Sequence, residues 1–150
     1  MDIKSREARS RNMARIKGKN TAPEVYIRSL LHRNGLRFRV NYGGVKGRPD
    51  IYFTKIRTAV FVHGCYWHRH KDCKYAYTPK DNMEFWTNKL EGNKRHDEDV
   101  YNILRTQGIR VLIIWECTIR KMRKDGDLER QVINKAKAFI VEEQPRFMEL

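Results

Sequence analysis

A chain of 150 residues fits a single domain, because it is long enough to bury one core and too short to divide comfortably into two. Its 32 Lys and Arg residues outnumber its 18 Asp and Glu residues, and the net charge of +14 favours nucleic acid over an anionic membrane as the polyanionic partner. The sequence has no lipidation signal, long apolar span or secretory segment, so we expect no membrane association and a cytoplasmic protein with reduced thiols.

Residues 1–20 are rich in Lys and Arg and have only scattered apolar positions. Such a segment cannot bury a core alone, which predicts a basic N-terminal arm that orders on a partner. A solvated tail is the alternative. Residues 21–150 are then a single domain, which opens with the capping box Thr21-Ala-Pro-Glu24 and a helix over about 22–34.

Strands are predicted next. Residues 36–40 (LRFRV) alternate as in a half-exposed strand, NYGGVKGRP supplies turn residues, DIYF is a compact apolar strand, and residues 59–62 form a buried one. Residues 81–107 suit one or two helices, residues 109–115 (IRVLIIW) a strand buried on both faces, and residues 127–141 a final helix. This order predicts an α/β fold with a mixed central sheet flanked by helices.

Metal ligands cluster in the stretch FVHGCYWHRHKDC. Cys65, His70 and Cys73 lie within nine residues, and Cys117 follows the buried strand, so three thiolates and one imidazole can form a closed, structural zinc site. The spacing alone does not decide whether the fourth ligand is His70, His68 or Asp72. The alternative is that the thiols are buried as small apolar groups.

Asp50 ends the turn GRPD and leads into a strand, beside a second strand that ends at His63. A carboxylate there can hold Mg²⁺ while His63 or His68 transfers protons, as phosphodiester hydrolysis requires. The Glu-x-Lys that follows Pro-Asp in many nucleases is missing from AVFVHG. Asp50 is alternatively a turn cap, and Glu24 either completes the capping box or reaches the same site.

Aromatic side chains lie in and near the metal-binding loop. Tyr66, Trp67 and Trp86 are candidates for stacking on bases or wedging between base steps, since the protein is strongly basic. The alternative is a small core around the loop, which we prefer for Phe85.

Taken together, these residues resemble the very-short-patch-repair (Vsr-type) mismatch endonucleases. The matching stretches, in chain order, are RSRNM, TAPE, GLRFRV, GRPD, FVHGCYWHRH, EFW, Asn93, RHD (95–97) and RVLIIWEC, across most of residues 9–117. After about residue 120 the chain resembles the family only in being helical.

The resemblance implies a Mg²⁺-dependent endonuclease that nicks one strand of double-stranded DNA 5′ of the T in a T:G mismatch. It also implies a restriction-endonuclease-like fold, a structural Zn²⁺, a monomer, a nucleoid-associated location, and mismatch-repair proteins as further partners. By the same resemblance Asp50 corresponds to the metal-binding acid, His68 to the histidine that activates water, His63 to a second active-site histidine and Glu24 to a supporting acid.

The zinc ligands implied by the resemblance are Cys65, His70, Cys73 and Cys117. The DNA-binding residues implied are Met13, Tyr66, Trp67, Trp86, Lys89 and Asn93: the three aromatic rings enter from the major groove and Met13 from the minor groove, while Lys89 and Asn93 lie close to the mismatched pair.

Two departures from the family pattern are visible. Two residues lie between His70 and Cys73, one more than in family members with a single intervening residue, and this bears on the metal geometry. Position 66 is Tyr, where Phe is more familiar in the family. Two other functions remain alternatives: a restriction-type nuclease of the same fold that cuts unmismatched or modified DNA, and a zinc-stabilised DNA-binding module without catalysis.

Overall fold

The structure is a computed structural model that describes residues 20–142 and 145–150. The predicted basic arm, with Met13, lies outside the described residues except for Asn20. The elements are α1 (Ala22–Arg33), β1 (Arg39–Val40), β2 (Ile51–Phe53), β3 (Thr58–His63), α2 (Met83–Thr106), β4 (Arg110–Trp115), α3 (Glu116–Met122), α4 (Gly126–Val141) and β5 (Phe147–Glu149).

The strands form one mixed sheet in the order β1-β2-β3-β4-β5. The pairs β1–β2 and β2–β3 are antiparallel, whereas β3–β4 and β4–β5 are parallel. The prediction of an α/β fold with a mixed central sheet is therefore confirmed. None of the described helices is both long and apolar enough to cross a membrane.

The sheet is covered on both faces, and alternate residues of its central strands divide between two hydrophobic clusters. Val60 of β3 and Leu112 and Ile114 of β4 pack with α1, α3 and α4, while Phe61 and Ile113 pack with α2. Every residue of β4 is buried, as a strand enclosed on both faces requires. The continuous apolar run IRVLIIW predicted this burial correctly.

Helix α1 begins as predicted, because the Thr21 hydroxyl accepts a hydrogen bond from the Glu24 amide and Pro23 lies in the first turn. The strand predicted over residues 36–40 was too long, since only Arg39 and Val40 pair with β2. The reason is that Leu36 is still tied to the end of α1, its amide donating to the Leu31 carbonyl.

Two elements were not predicted. Helix α3 follows β4 directly and has no side-chain cap, so the sequence carries no start signal for it. Strand β5 has only three residues and lies parallel to β4, with Val111 opposite Phe147. A strand this short shows no readable alternation, and only the adjacent edge of β4 makes it a strand.

Candidate active site and metal centre

The candidate residues meet at one end of the sheet, the edge formed by the carboxyl ends of β3 and β4. Because β3 and β4 are parallel, their carboxyl ends lie side by side, and His63 pairs in register with Trp115. Strand β2 runs the opposite way, so Asp50, directly before it, reaches the same edge and accepts a hydrogen bond from the Val62 amide at 2.7 Å. The topology thus brings together an acid, histidines and cysteines from three strand ends.

Asp50 is a half-buried carboxyl group with a strongly perturbed pKa. Its pKa is raised to about 7, by burial first and also by the nearby Glu24, whereas the Val62 amide, Arg28 and His68 act in the opposite direction. A carboxyl group disfavoured as an isolated anion gains from a bound cation, so this donor suits a divalent metal ion.

Glu24 is buried and belongs to a small polar network at the start of α1. It accepts hydrogen bonds from the Asn20 amide at 2.7 Å and from Arg28 at 3.2 Å. The Arg28 guanidinium also bonds the side chains of Asn20 and Asn41. Glu24 is therefore compensated by Arg28, and it acts on Asp50 through its charge.

His63 and His68 are stacked, with ring centroids 3.7 Å apart and planes inclined by 10°. His63 is buried, and its pKa lies well below the ordinary value because of burial first and the neighbouring His68 second. Its Nε2 atom lies 2.5 Å from the Tyr101 hydroxyl. Burial, together with nearby carboxylates, raises the pKa of Tyr101, so both partners of this hydrogen bond are neutral.

His68 is held by a carboxylate. Its Nδ1 atom lies 2.5 Å from Asp97 Oδ2. An ionised carboxylate only accepts hydrogen bonds, so Nδ1 carries the proton and Nε2 is left with a lone pair. This arrangement gives His68 the tautomer that a general base needs.

One face of α2 contacts both histidines and the loop that carries His68. Asn93, Asp97 and Tyr101 are spaced by four residues and therefore share a helix face. In order along this face, they contact the Trp67 carbonyl, the His68 ring and the His63 ring. Sequence reasoning gave no role to Asp97 or Tyr101, although polar residues at i, i+4 and i+8 of an amphipathic helix were a readable signal.

A second group of donors forms the candidate metal centre. One ligand atom from each of Cys65, His70, Cys73 and Cys117 lies within 4.8 Å of the others. Cys117 Sγ is 3.4 Å from His70 Nδ1, and the Cys117 amide donates to Cys65 Sγ at 3.4 Å. Of the three candidates for fourth donor, His70 lies with the thiols, while His68 lies with His63 and Asp97.

The donor chemistry of this cluster suits a metal ion. Burial lowers the pKa of His70, so the imidazole is neutral and can act as a ligand. Burial also raises the pKa of Cys65 to about 12 when no metal is bound. Three thiols and one neutral imidazole that converge without a disulfide are a soft, four-donor set.

Trp115 separates the metal centre from the histidine pair and contacts both. Its indole ring stacks on His70 with centroids 4.1 Å apart, and it lies 5.6 Å from His63. Its Nε1–H donates to Glu149 of β5 at 3.1 Å. The candidate metal centre and the histidine pair therefore both pack against the Trp115 ring, which its hydrogen bond to Glu149 holds in place.

Arg69 organises the loop that carries these residues. Its guanidinium donates to the carbonyls of Tyr66, Ala76 and Tyr77, at 3.2, 2.7 and 3.0 Å, and to the Thr78 hydroxyl. Its backbone lies in the left-handed region, with φ of 53°. A loop without regular structure is therefore closed by one side chain as well as by the candidate metal ligands, and no local sequence pattern signals this role of Arg69.

The aromatic side chains form a connected cluster beside the loop. Tyr66 contacts Trp67 and Trp86, and Trp86 contacts Phe85. Trp86 is buried at 6% exposure, whereas Phe85 is exposed at 58%, so the expectation that Phe85 packs in a small core was wrong. The positions of the two residues on the helix explain why Trp86 and not Phe85 is buried, because consecutive residues of α2 face in different directions. Lys89, one turn from Phe85, is exposed.

Comparison with known proteins identifies the family. The family model for the DNA mismatch endonuclease Vsr matches residues 1–75. The chain is 39% identical to the DNA mismatch endonuclease Vsr of Escherichia coli K12 over 126 residues, which are 84% of this chain and 80% of that protein. The chain belongs to the Vsr family.

Other relatives of this chain are named type II nicking enzymes. The chain is 38% identical to the type II nicking enzyme V.XorIIP of Xanthomonas oryzae pv. oryzae, over 89% of this chain and 95% of that protein. It is also 38% identical to the type II nicking enzyme V.NmeAIP of Neisseria meningitidis, over 79% and 84% respectively. As a Vsr-family member, the protein is a DNA endonuclease, a hydrolase that acts on phosphodiester bonds.

Proposed function

We propose that the protein nicks one strand of double-stranded DNA immediately 5′ of the T in a T:G mismatch and depends on Mg²⁺, which would initiate very short patch repair. The observation that supports this best is the arrangement of Asp50 and the His68–Asp97 pair at one sheet edge. It combines a donor for a hard cation with a base of fixed tautomer.

Asp50 would hold the catalytic Mg²⁺. When bound, that ion would polarise the phosphodiester group and stabilise the charge that develops on it. His68 takes a proton from the attacking water at Nε2, and Asp97 stabilises the imidazolium that results through Nδ1–H. Glu24 supports the site through its charge, because its own oxygens bond Asn20 and Arg28.

His63 orients the base in this proposal. Burial keeps its ring neutral, so it stacks on His68 without repelling the charge that His68 gains. Tyr101 fixes the ring of His63 through Nε2. His63 is therefore a second active-site histidine whose main contribution is to limit the movement of His68.

Cys65, His70, Cys73 and Cys117 would hold a structural Zn²⁺, which supplies a rigid cross-link when bound. The loop that it closes carries Tyr66, Trp67 and His68, so a wedge and a base would share one frame. We further propose a restriction-endonuclease-like domain over residues 21–150 that acts as a monomer, preceded by the basic arm.

Selectivity for T:G would come from the aromatic cluster and the arm. Tyr66, Trp67 and Trp86 would enter the duplex from the major groove, Met13 from the minor groove, and Lys89 and Asn93 would lie near the mismatched pair. A wobble step is cheaper to unstack than a paired one, so insertion would favour the mismatch. Because Trp86 is buried and Asn93 bonds the Trp67 carbonyl, the cluster has to rearrange when DNA binds.

The second candidate is a nuclease of the same fold that cuts unmismatched or modified DNA in a restriction setting. It is favoured by the relatives named type II nicking enzymes. Such an enzyme needs the same catalytic residues but no T:G pair. A DNA-binding module without catalysis is set aside, because the chain belongs to an endonuclease family.

The test is to map nicks on duplexes labelled at one end of each strand, with Mg²⁺ present and several flanking sequences around a single T:G pair. We expect one nick, 5′ of the T, and none with Asp50→Ala, although that variant still binds DNA. Cutting of both strands or at positions unrelated to the T would favour the second candidate. Cutting that is unaffected by Asp50→Ala would contradict the proposed site.

A further inference from the structure

A cleft of about 650 Å³ lies between the β1–β2 hairpin loop and α2. Residues 43–48 (GGVKGR) form one wall, and His96 and Gln107 form the other. None of the catalytic, metal-binding or aromatic residues described above lines it. The cleft is therefore a separate feature of the surface.

The loop is shaped by its glycines. Gly47 has φ of +85°, and a Cβ atom there would lie 2.4 Å from Val100 of α2. A Cβ atom on Gly44 would lie 2.4 Å from the Tyr42 ring, which itself stacks on Tyr52. These close approaches seat the loop on the core, so the cleft is a built structure and not the tip of a loose hairpin.

The lining of the cleft is cationic. Lys46 and Arg48 are exposed, and His96 faces them from α2. No carboxylate belongs to the lining among the residues that the structure describes. The Arg48 guanidinium lies against Gly43, where a Cβ atom would be 3.1 Å from its Nη2 atom, so this cation is held at the same wall as Lys46.

The cleft adjoins the candidate active site at two points. Within the hairpin, the Tyr42 amide donates to the Pro49 carbonyl and the Asn41 amide to the Asp50 carbonyl. On the helix, His96 directly precedes Asp97, the partner of His68. A DNA backbone that presents its phosphate to Asp50 and His68 would therefore pass close to Lys46 and Arg48.

We propose that this cleft binds a phosphate of the DNA backbone next to the cleaved one, with Lys46 as the main contact. The proposal rests on the proposed function only in taking DNA as the substrate at Asp50. The contact carries no sequence information, so it should act equally on matched and mismatched duplexes. Its role is to fix the register of the strand at the catalytic edge.

The experiment measures DNA affinity as a function of salt, with the Asp50→Asn background preventing cleavage. Lys46→Gln should make the slope of log affinity against log salt shallower by about 0.9, the value expected for one lost phosphate contact. The shift should be the same for T:G and T:A duplexes. The matched control is Lys55→Gln, an exposed lysine in the turn after β2, at the opposite edge of the sheet, which should leave the slope unchanged.

An unchanged slope for Lys46→Gln, with thermal stability unaltered, would overturn the proposal. So would a shift equal to that of Lys55→Gln, because it would reflect net charge alone. Binding of inorganic phosphate that depends on Lys46, with an unchanged DNA slope, would identify a free-anion site instead. The expected slope change, found together with equal affinities of the Asp50→Asn protein for T:G and T:A duplexes, would uphold this contact while contradicting mismatch recognition in binding.

Discussion

The rings of His63 and His68 lie face to face, 3.7 Å apart, although the first ends β3 and the second lies in the loop that carries Cys65, His70 and Cys73. Two imidazolium rings at this distance would repel each other, so the stack disfavours a positive charge on both rings at once. Burial makes His63 the neutral one. In the proposed reaction, the stack therefore leaves His68, with its partner Asp97, as the ring that would exchange protons.

Asp97→Asn is expected to slow DNA nicking about 10- to 100-fold, since a hydrogen bond to a charged group is worth roughly 1.5–3 kcal/mol. DNA affinity should stay unchanged, because Asp97 contacts His68 and not the outer surface of the loop. Single-turnover rates and binding constants check this. Glu98→Gln, at the next and exposed position, is the matched control. Equal rates for Asp97→Asn and the wild type would contradict the assigned role.

Asp50→Asn is expected to make the Mg²⁺-free protein more stable at pH 8 than the wild type. The folded pKa of Asp50 is raised to about 7, against roughly 3.9 in an unfolded chain. A carboxyl group with a raised pKa contributes stability at low pH and loses it as the pH rises through the folded value. The difference between the two proteins should grow by about 2–3 kcal/mol between pH 5 and pH 8.

Denaturant unfolding of both proteins, in buffer without Mg²⁺ and without a chelator, measures this difference. Omitting the chelator keeps any structural metal in place. Stability curves that run parallel from pH 5 to pH 8 would show that Asp50 is not a perturbed carboxyl group.

Cys117→Ser is expected to remove bound zinc and to lower stability by about 3 kcal/mol or more, or at least ~6 °C in Tm. Metal analysis should find about one zinc in each wild-type chain and far less in the variant. His32→Gln removes an exposed histidine of α1 and should change neither quantity. A folded wild type without zinc would refute the metal centre.

Arg69→Met is expected to destabilise the protein by about 2–4 kcal/mol, because it leaves carbonyl groups in the loop without their donor while keeping an apolar stem. Urea unfolding measures the loss. Lys71→Met changes an exposed cation two residues away and should stay within about 0.5 kcal/mol of the wild type. If the two variants were equally stable, Arg69 would not be closing the loop.

Local signals predicted the elements that carry them. The capping box located the start of α1, and the apolar run located β4, whose burial on both faces is confirmed. Helix α3 and β5 escaped prediction because tertiary contacts create them: one continues directly from β4, and the other exists only by pairing with β4.

The candidate site was only partly readable for the same reason. Residues that lie near each other in the chain, such as Cys65 and His70, were grouped from spacing. The contacts of Asp97 and Tyr101 depend on how α2 is rotated against β3, which the sequence of either element does not state. That rotation also buries Trp86 and exposes Phe85, contrary to expectation.

Mismatch recognition is tested most directly by the single-turnover nicking rate on two duplexes that differ only in carrying T:G or T:A at one position. The strand with the mismatched T should be nicked 5′ of that T at least ~100-fold faster, because a difference of a few kcal/mol in the cost of unstacking changes the activation barrier by the same amount. Equal rates on the two duplexes would contradict mismatch recognition and identify a nuclease that needs no T:G pair.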